Sequence, residues 1–224
     1  SQPASDDVII VTGTRVENRS ALDTAVAVDV VGQEALEQGG VSEVNQALSI
    51  ALPSFNFPRP SLSDGTDTIR PATLRGLAPD QALVLVNSKR RHAASLVNVN
   101  GAIGRGASAV DLNTIPTSAI QGVEVLRDGA SAQYGSDAIA GVINVRLREA
   151  SSGGNISASY GQRETSYDVP TNPFPANLGL PAAPGTISRD RSDGRVATVS
   201  GWIGLPLLTD QGFLTVSAEY KQQD

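Results

Sequence analysis

One stretch of the chain decides how the rest is interpreted, namely Val123-Glu-Val-Leu-Arg-Asp-Gly-Ala-Ser-Ala-Gln-Tyr-Gly-Ser-Asp-Ala-Ile-Ala-Gly-Val-Ile-Asn-Val145. Its first and last parts are rich in β-branched residues, which predicts two strands. Asp128-Gly129 is a turn dipeptide, and the alanine-rich segment Ala130–Tyr134 favours a helical turn. Gly135 is predicted to end that turn, because glycine adopts a positive φ at no steric cost.

The link between these two predicted strands bears on how they pair. Asp128 to Ile139 supply twelve residues, and a crossover between parallel strands needs at least about ten. The length is therefore compatible with a parallel pair. Upstream, Leu83–Val86 is a continuous apolar run, which is typical of a strand covered on both faces.

The first part of the chain predicts one strand followed by two helices. Alternation over Val26–Val31 is consistent with a strand. Gly32–Gln38 is helix-prone and is followed by Gly39-Gly40, a stop signal for a helix. Ser42 is predicted to cap a second helix with apolar residues at helical spacing, and Pro53 is predicted to end it.

Beyond Glu149 the pattern changes. Ser151–Gly154 is predicted to be a hinge, and a strand is predicted over Arg195–Leu205 between a long connection, Glu164–Gly194, and a short one, Pro206–Gly212. The strands on either side alternate an apolar face with a small polar face, a pattern typical of transmembrane barrel strands. The alternative is a soluble antiparallel meander. The apolar stripes are Ile156, Ala158 and Tyr160, and Leu214, Val216, Ala218 and Tyr220.

Composition places the 224-residue chain among globular proteins, with 40% hydrophobic residues, 18% charged residues and a net charge of −6. The acidic balance argues against a nucleic-acid binder, which needs basic surface to neutralise phosphates. There is no Cys and one His, so a disulfide, a thiolate nucleophile and a cysteine metal site are excluded. No window approaches the roughly 18 consecutive apolar residues of a membrane helix.

Motifs for catalysis and for cofactor binding are absent from the sequence. There is no G-x-S-x-G nucleophile motif, and the carboxylates do not have the spacing of metal ligands. Gly101–Gly106 has the spacing of neither a dinucleotide-binding fingerprint nor a P-loop. We therefore predict no catalytic residue, no metal site, no cofactor and no enzymatic activity.

The run Arg127–Asn144 closely resembles the end of the plug domain in TonB-dependent outer-membrane receptors. Two other runs carry the same resemblance, Ala47–Asn56 and the pair Leu74-Arg-Gly76 and Leu83–Asn87. The resemblance implies an α+β plug domain with a small mixed β-sheet, followed by antiparallel β-strands of a truncated transmembrane β-barrel. It divides the chain into an N-terminal segment (1–20), the plug (21–150) and the first three strands of an incomplete barrel (151–224).

An aliphatic segment near the N-terminus matches the TonB box of this family, the segment that binds the inner-membrane protein TonB. An extended segment can add as a strand to a partner's sheet edge through main-chain hydrogen bonds. We expect it to be mobile or weakly docked, and an edge strand docked on a domain is the alternative. The segment comprises Asp7, Val8, Ile9, Ile10, Val11, Thr12 and Gly13.

The resemblance also implies two ligand-contact loops, expected at the end of the plug opposite the N-terminus. The loop Phe57–Thr68 contributes Arg59 and Ser61. The second loop, the basic loop Lys89–Arg105, has four cations and no acid, so we expect anionic ligands to be favoured. Its predicted contact residues are Lys89, Arg90, Arg91, His92, Asn98, Asn100 and Arg105.

Three further residues, Arg75, Glu124 and Arg127, are assigned by the resemblance to contacts between the plug and the barrel wall. The implied function is active uptake of a scarce ligand, with iron–siderophore complexes as the commonest association. The implied partners are TonB, the small ligand and lipid of a Gram-negative outer membrane, and the plug would face the periplasm and the barrel lumen. The alternative is a soluble periplasmic binding or signalling module, which should bury the apolar stripes against its own core.

Overall fold

The structure is a computed structural model that describes residues 9–10, 19–20, 28–38, 43–56, 69, 71–99, 104–127, 130–170, 186–207 and 212–223. The chain divides into two compact units, one of Ser1–Asn155 with Gly201–Ala218 and the other of Ile156–Ser200 with Glu219–Asp224. Among the helices in the described ranges, none has the length and apolar character to cross a membrane.

Short helices and strands make up the first part of the chain, and three long strands make up the last. In chain order the elements of the described ranges are β1 (Ile9–Ile10), β2 (Arg19–Ser20), β3 (Val28–Gly32), α1 (Gln33–Gln38), α2 (Val44–Ala51), β4 (Phe55–Asn56), β5 (Thr73–Leu74), β6 (Ala82–Val86), β7 (Lys89–Arg90), β8 (Ile120–Leu126), α3 (Ala130–Tyr134), β9 (Gly141–Leu147), β10 (Gly154–Pro170), β11 (Thr186–Leu207) and β12 (Gly212–Gln223).

The centre of the first unit is a five-stranded sheet in the order β3, β8, β9, β6, β7. Three pairs of neighbours are antiparallel, β3 with β8, β8 with β9, and β6 with β7, whereas β6 and β9 are parallel. The predicted small mixed sheet is therefore confirmed. Strand β8 runs from Ile120 to Leu126 and β9 from Gly141 to Leu147, which confirms the two strands predicted around the α3 turn.

The link between β8 and β9 does not make a parallel crossover, because the two strands pair antiparallel. It contains α3 and a short 3-10 helix, Ser136–Ala138, joined at Gly135, whose φ is 92° as predicted for a left-handed stop. Ala130 and Ala138 of this link pack with Leu83, Leu126 and Val142. The link is long because it covers one face of the sheet, and length alone could not distinguish that role from a crossover.

The other face of the sheet is covered by α1 and α2. Val31, Leu36 and Leu48 pack there with Val123 and other residues of β8 and β9. Strand β6 contributes residues to the hydrophobic clusters on both faces, which confirms the prediction from its continuous apolar run.

The N-cap of α2 differs from the prediction. Glu43, in place of the predicted Ser42, occupies the cap position, and it makes no side-chain hydrogen bond to the helix. Ser42 itself lies outside the described residues. The helix ends at Ala51 as expected ahead of Pro53, and the Leu52 backbone N–H donates to Leu48 O (2.8 Å).

The three C-terminal strands form a sheet in the order β10, β11, β12. The predicted long loop over Glu164–Gly194 is wrong in extent, because β10 continues to Pro170 and β11 begins at Thr186. Polar side chains bond across these two strands in place of an apolar alternation. Ser166 Oγ donates to Asp190 Oδ1 (2.6 Å), and Ser188 donates to Asp168 in the same way.

The approach of β9 to β8 at Gly141 gives a prediction about stability. Gly141 has φ +139°, and a Cβ atom there would lie 2.4 Å from Leu126 O and 2.6 Å from Leu74 Cδ2. We expect Gly141→Ala to lower the free energy of unfolding by about 2–4 kcal/mol, because it combines backbone strain with overpacking. Urea unfolding of the purified chain, followed by circular dichroism, measures the change.

The matched control is Gly32→Ala, at the end of β3, where a Cβ atom would have nothing within 4 Å. This substitution should change the free energy of unfolding by less than about 1 kcal/mol. Equal unfolding midpoints for the two variants would contradict the steric role of Gly141.

Candidate functional site

A buried carboxylate lies in the middle of the sheet, at Glu124 of β8. Its side chain is 1% exposed, and Arg146 Nη1 lies 3.5 Å from Glu124 Oε1. Asn144 Nδ2 donates to Glu124 Oε2 (3.4 Å), while Asn144 Oδ1 accepts from the Ser88 backbone N–H (3.0 Å). A buried charge needs such pairing, so Glu124 ties β8, β9 and the turn after β6 together. Its assignment to a plug–barrel contact stays a prediction.

The two arginines assigned to the barrel wall meet at the ends of β5 and β8. Arg127 Nη2 donates to Asp29 Oδ1 (3.0 Å), and its Nε lies 2.8 Å from Asp29 Oδ2. Arg75 Nη1 donates to the backbone oxygen of Arg127 (3.0 Å). Arg75 also has φ 58°, the left-handed region that a side chain other than glycine seldom adopts. The structure therefore places both guanidinium groups against β3 and β8, and their contact with a barrel wall stays a prediction.

A cleft of about 390 Å³ opens beside the edge of the sheet. Its floor is Ala82–Val84 of β6, and one wall is the segment Arg90–Ala93. Pro79 and Asp80 form its rim, while Ser108, Val110 and Asp137 complete the lining. The Arg91 backbone N–H donates to Val84 O (2.9 Å), which holds this wall along β6.

The predicted basic loop begins later than expected. Lys89 and Arg90 form β7 and pair with Val86 and Leu85, so they belong to a hairpin. Its turn is Asn87-Ser88, with φ values of 47° and 63°. Asn tolerates that region, and the neighbouring β9 fixes the turn, since the Leu147 backbone N–H donates to Asn87 Oδ1 (2.8 Å).

Charge in the cleft is shared between cations and acids. Arg90 pairs with Asp137 across the opening. A hydrogen bond from Arg90 and its positive charge hold the pKa of Asp137 below its usual range. Because Arg90 already faces this carboxylate, Arg91 is the cation of the cleft best placed for an added anion, and the His92 ring lies beside it in the lining. His92 is exposed and Arg91 is half-buried.

The structure brings together only part of the predicted ligand-contact set. Arg90, Arg91 and His92 line the cleft, whereas Asn98 and Arg105 do not. Asn98 is buried in its own loop, where its backbone N–H donates to Ala107 O (3.0 Å). Arg59, Ser61 and Asn100 lie outside the described residues.

Sequence reasoning missed the acids of this cleft. Asp137 lies inside the stretch that decided the fold, 47 residues from Arg90. Its position after Gly135-Ser136 gave no signal of an ion pair, because the pairing depends on how the 3-10 helix Ser136–Ala138 packs against β6. Within the described ranges, no group of three or more His, Cys, Asp or Glu side chains could hold a metal ion.

The predicted TonB box is described at two residues. Ile9 pairs with Ser20 and Ile10 with Arg19 in a two-stranded antiparallel sheet. The pairing joins β1 to β2, and the five other residues of the predicted box lie outside the described ranges. Weak docking of the segment stays a prediction.

The apolar stripes of the C-terminal strands are exposed to solvent. Ile156 is 82% exposed, Tyr160 and Tyr220 are each 67% exposed, and Leu214 and Val216 are nearly half exposed. Ala158 and Ala218 are exposed as well. These strands therefore present apolar side chains that the chain itself does not cover.

Three solved structures with similar folds are each much longer than this chain. A ferric enterobactin receptor of Pseudomonas aeruginosa matches 90% of this chain and 25% of its own length, at 22% identity and a TM-score of 0.58. The match to the siderophore receptor PirA of Acinetobacter baumannii covers 88% of this chain and 24% of PirA, at 22% identity and a TM-score of 0.55. The match to the ferric citrate transporter FecA, in its unliganded form, covers 91% of this chain and 26% of FecA, at 17% identity and a TM-score of 0.58. The chain thus spans about a quarter of each.

Comparison with protein families matches the compact unit that carries the sheet and the cleft. The model of the TonB-dependent Receptor Plug Domain covers residues 20–142, more than half of the chain. The resemblance seen in the sequence is therefore confirmed, as is a plug-like mixed sheet followed by antiparallel strands. This chain belongs to the TonB-dependent receptor plug domain family.

Proposed function

We propose that this chain is the plug and the first strands of an outer-membrane receptor that takes up a ferric siderophore by a TonB-dependent mechanism. The observation that carries the proposal is the exposed apolar stripe on strands that follow directly from a plug. A face bearing Ile156 and Tyr160, at 82% and 67% exposure, is suited to lipid. Barrel strands expose such a face outward and keep the other face polar.

The alternative, a soluble periplasmic module, is less well supported. A soluble module should bury its apolar stripes against its own core, because exposed apolar area is unfavourable in water. Leu214 and Val216 of β12 are instead each nearly half exposed, while Thr215 and Ser217 are the less accessible residues between them. On β12 the polar face is the less exposed one, which suits a strand whose other face contacts lipid.

A ferric siderophore as the ligand is supported by charge. Arg91 and His92 line the cleft, and Lys89 lies next to its wall in β7. Asp137 is paired with Arg90, so Arg91 is the guanidinium group in this cleft that can face an anion such as ferric enterobactin or ferric citrate. The similar solved structures include receptors of these two kinds. In this proposal the protein binds and moves its ligand without chemical change, so it is not an enzyme.

The test of the proposed function is uptake in the full-length receptor that contains this chain. Cells that express it should accumulate radiolabelled ferric enterobactin or ferric citrate, and membrane fractionation should place the receptor in the outer membrane. Accumulation should require TonB and the proton gradient of the inner membrane. Uptake that continues unchanged in cells without TonB would contradict the proposal.

Ligand binding gives a prediction about Arg91. Arg91→Gln in the full-length receptor should weaken binding of the transported ferric complex by about 10- to 100-fold, the loss expected for one charge-assisted hydrogen bond. Equilibrium binding of the radiolabelled complex to intact cells measures it. Arg163→Gln, on β10, removes the same charge elsewhere and is the matched control. Equal affinities of the two variants for the ferric complex would show that Arg91 does not contact the ligand.

Coupling to TonB gives a prediction about Ile10. Ile10→Pro removes a donor N–H and fixes φ, so strand addition to a partner should be impaired. Uptake should fall to the level of cells without TonB, whereas ligand binding at the cleft should be kept. Ile10→Val keeps the β-branched character and is the control. Wild-type uptake in the Pro variant would show that Asp7–Gly13 is not the TonB box, and lost ligand binding would mark it as a structural strand.

A further inference from the structure

The link between β9 and β10 has the composition of a hinge but is held on both sides. Ser151–Gly154 is small and glycine-rich, which favours flexibility. The residues just before it, Arg148 and Ala150, contact β11 and β12 within the first compact unit. These contacts therefore oppose the mobility that the composition of the link suggests.

Arg148 is the centre of these contacts. Its guanidinium carbon lies 4.3 Å from the centroid of the Trp202 ring, a distance typical of a cation–π interaction. Its Nε donates to Ser118 O (3.4 Å), and its backbone N–H donates to Ala119 O (2.8 Å). Its Nη2 is buried and has no hydrogen-bond partner among the described residues, so the face of the indole ring is the favourable partner on that side.

Two hydroxyl groups add to this attachment. Ser118 Oγ donates to Gly201 O on β11 (3.3 Å). On β12, Thr215 Oγ1 accepts from the Ala150 backbone N–H (3.0 Å) and lies 3.2 Å from Ala150 O, to which it donates. The link thus uses both its side-chain and its backbone groups to reach the neighbouring strands.

Glycines allow the backbones to meet at this point. A Cβ atom on Gly204 would lie 2.7 Å from Ala150 O, and one on Gly154 would lie 2.9 Å from Trp202 O. Both distances are too short for a real side chain. The Gly204 backbone N–H also donates to Gly153 O (2.9 Å). The close packing leaves the link little room to swing about its own glycines.

We propose that Arg148 and Trp202 form a clamp that fixes the end of the plug sheet to β11, with Ser118 and Thr215 as its supports. Motion of the plug is then confined to other segments, and the predicted hinge Ser151–Gly154 does not act as one. Arg148 and Trp202 are positioning residues in this proposal, because their contact holds the link against β11. The inference concerns the chain itself and does not depend on the proposed uptake.

The clamp can be followed directly because Trp202 is the single tryptophan of the chain. In the purified 224-residue chain, acrylamide quenching of its fluorescence should rise about two- to threefold in Arg148→Met, since the guanidinium no longer covers the ring. Arg189→Met removes the same charge from another position on β11 and should leave quenching unchanged. Arg148→Lys retains a cation and should fall between the wild type and the Met variant.

Hydrogen exchange then separates a clamp from a general contribution to stability. Amides 148–153 should exchange about tenfold faster in Arg148→Met, whereas those of α2 should keep the wild-type rate. Trp202→Phe should have a similar local effect. The double variant should be little worse than either single variant, because both remove one interaction.

Three results would each overturn the proposal. Quenching and exchange equal to those of Arg189→Met would show that Arg148 does not hold Trp202. Faster exchange in α2 as well would make Arg148 a residue of global stability only. Additive effects in the double variant would mean that the two side chains act separately. Should Arg148→Met fail to fold, Gly204→Ala tests the same link, and unchanged exchange of amides 148–153 in that variant would likewise overturn the clamp.

Discussion

The pairing of β9 on both of its edges is the constraint on which the plug depends. One edge pairs antiparallel with β8 and the other pairs parallel with β6, so a single strand joins the two halves of the sheet. The arrangement requires Gly141, because Leu126 O occupies the space where a Cβ atom would lie. Once β9 is placed, β3 can pair only at the outer edge of β8, and the cleft forms at the opposite edge, beside β6.

Polar groups inside this sheet position its strands and turns. Glu124 would be costly to bury alone, but Arg146 and Asn144 face it from the neighbouring strand. Asn144 also holds the turn that places β7. The network in the sheet therefore positions Arg90 and Arg91 of the cleft, whose charged groups lie at the edge of the sheet. The sheet fixes the backbone of Arg91, whose N–H donates to Val84 O.

Sequence predicts the parts of this fold that depend on local pattern. The predictions of a buried strand at β6, of the α3 turn and of the end of α2 before Pro53 were correct. Each of these features reflects burial or backbone chemistry within a few residues. Pairing across distance could not be read in this way. The antiparallel partner of β9, the ion pair between Arg90 and Asp137, and the polar ladder that extends β10 to Pro170 all join residues far apart in sequence. Ser and Asp side chains that bond across strands also give no apolar alternation to detect.

The edges of the C-terminal sheet bear on the proposed contact with the membrane. The order β10, β11, β12 leaves β10 and β12 each with one outer edge. In hydrocarbon every backbone N–H and C=O must be paired, so strands cross a membrane only in closed barrels. If the apolar stripes face lipid as proposed, strands from outside this chain must pair with both edges. In water the same edges and stripes would favour association. The proposed lipid contact therefore requires additional strands, and evidence against such strands would also be evidence against the lipid contact.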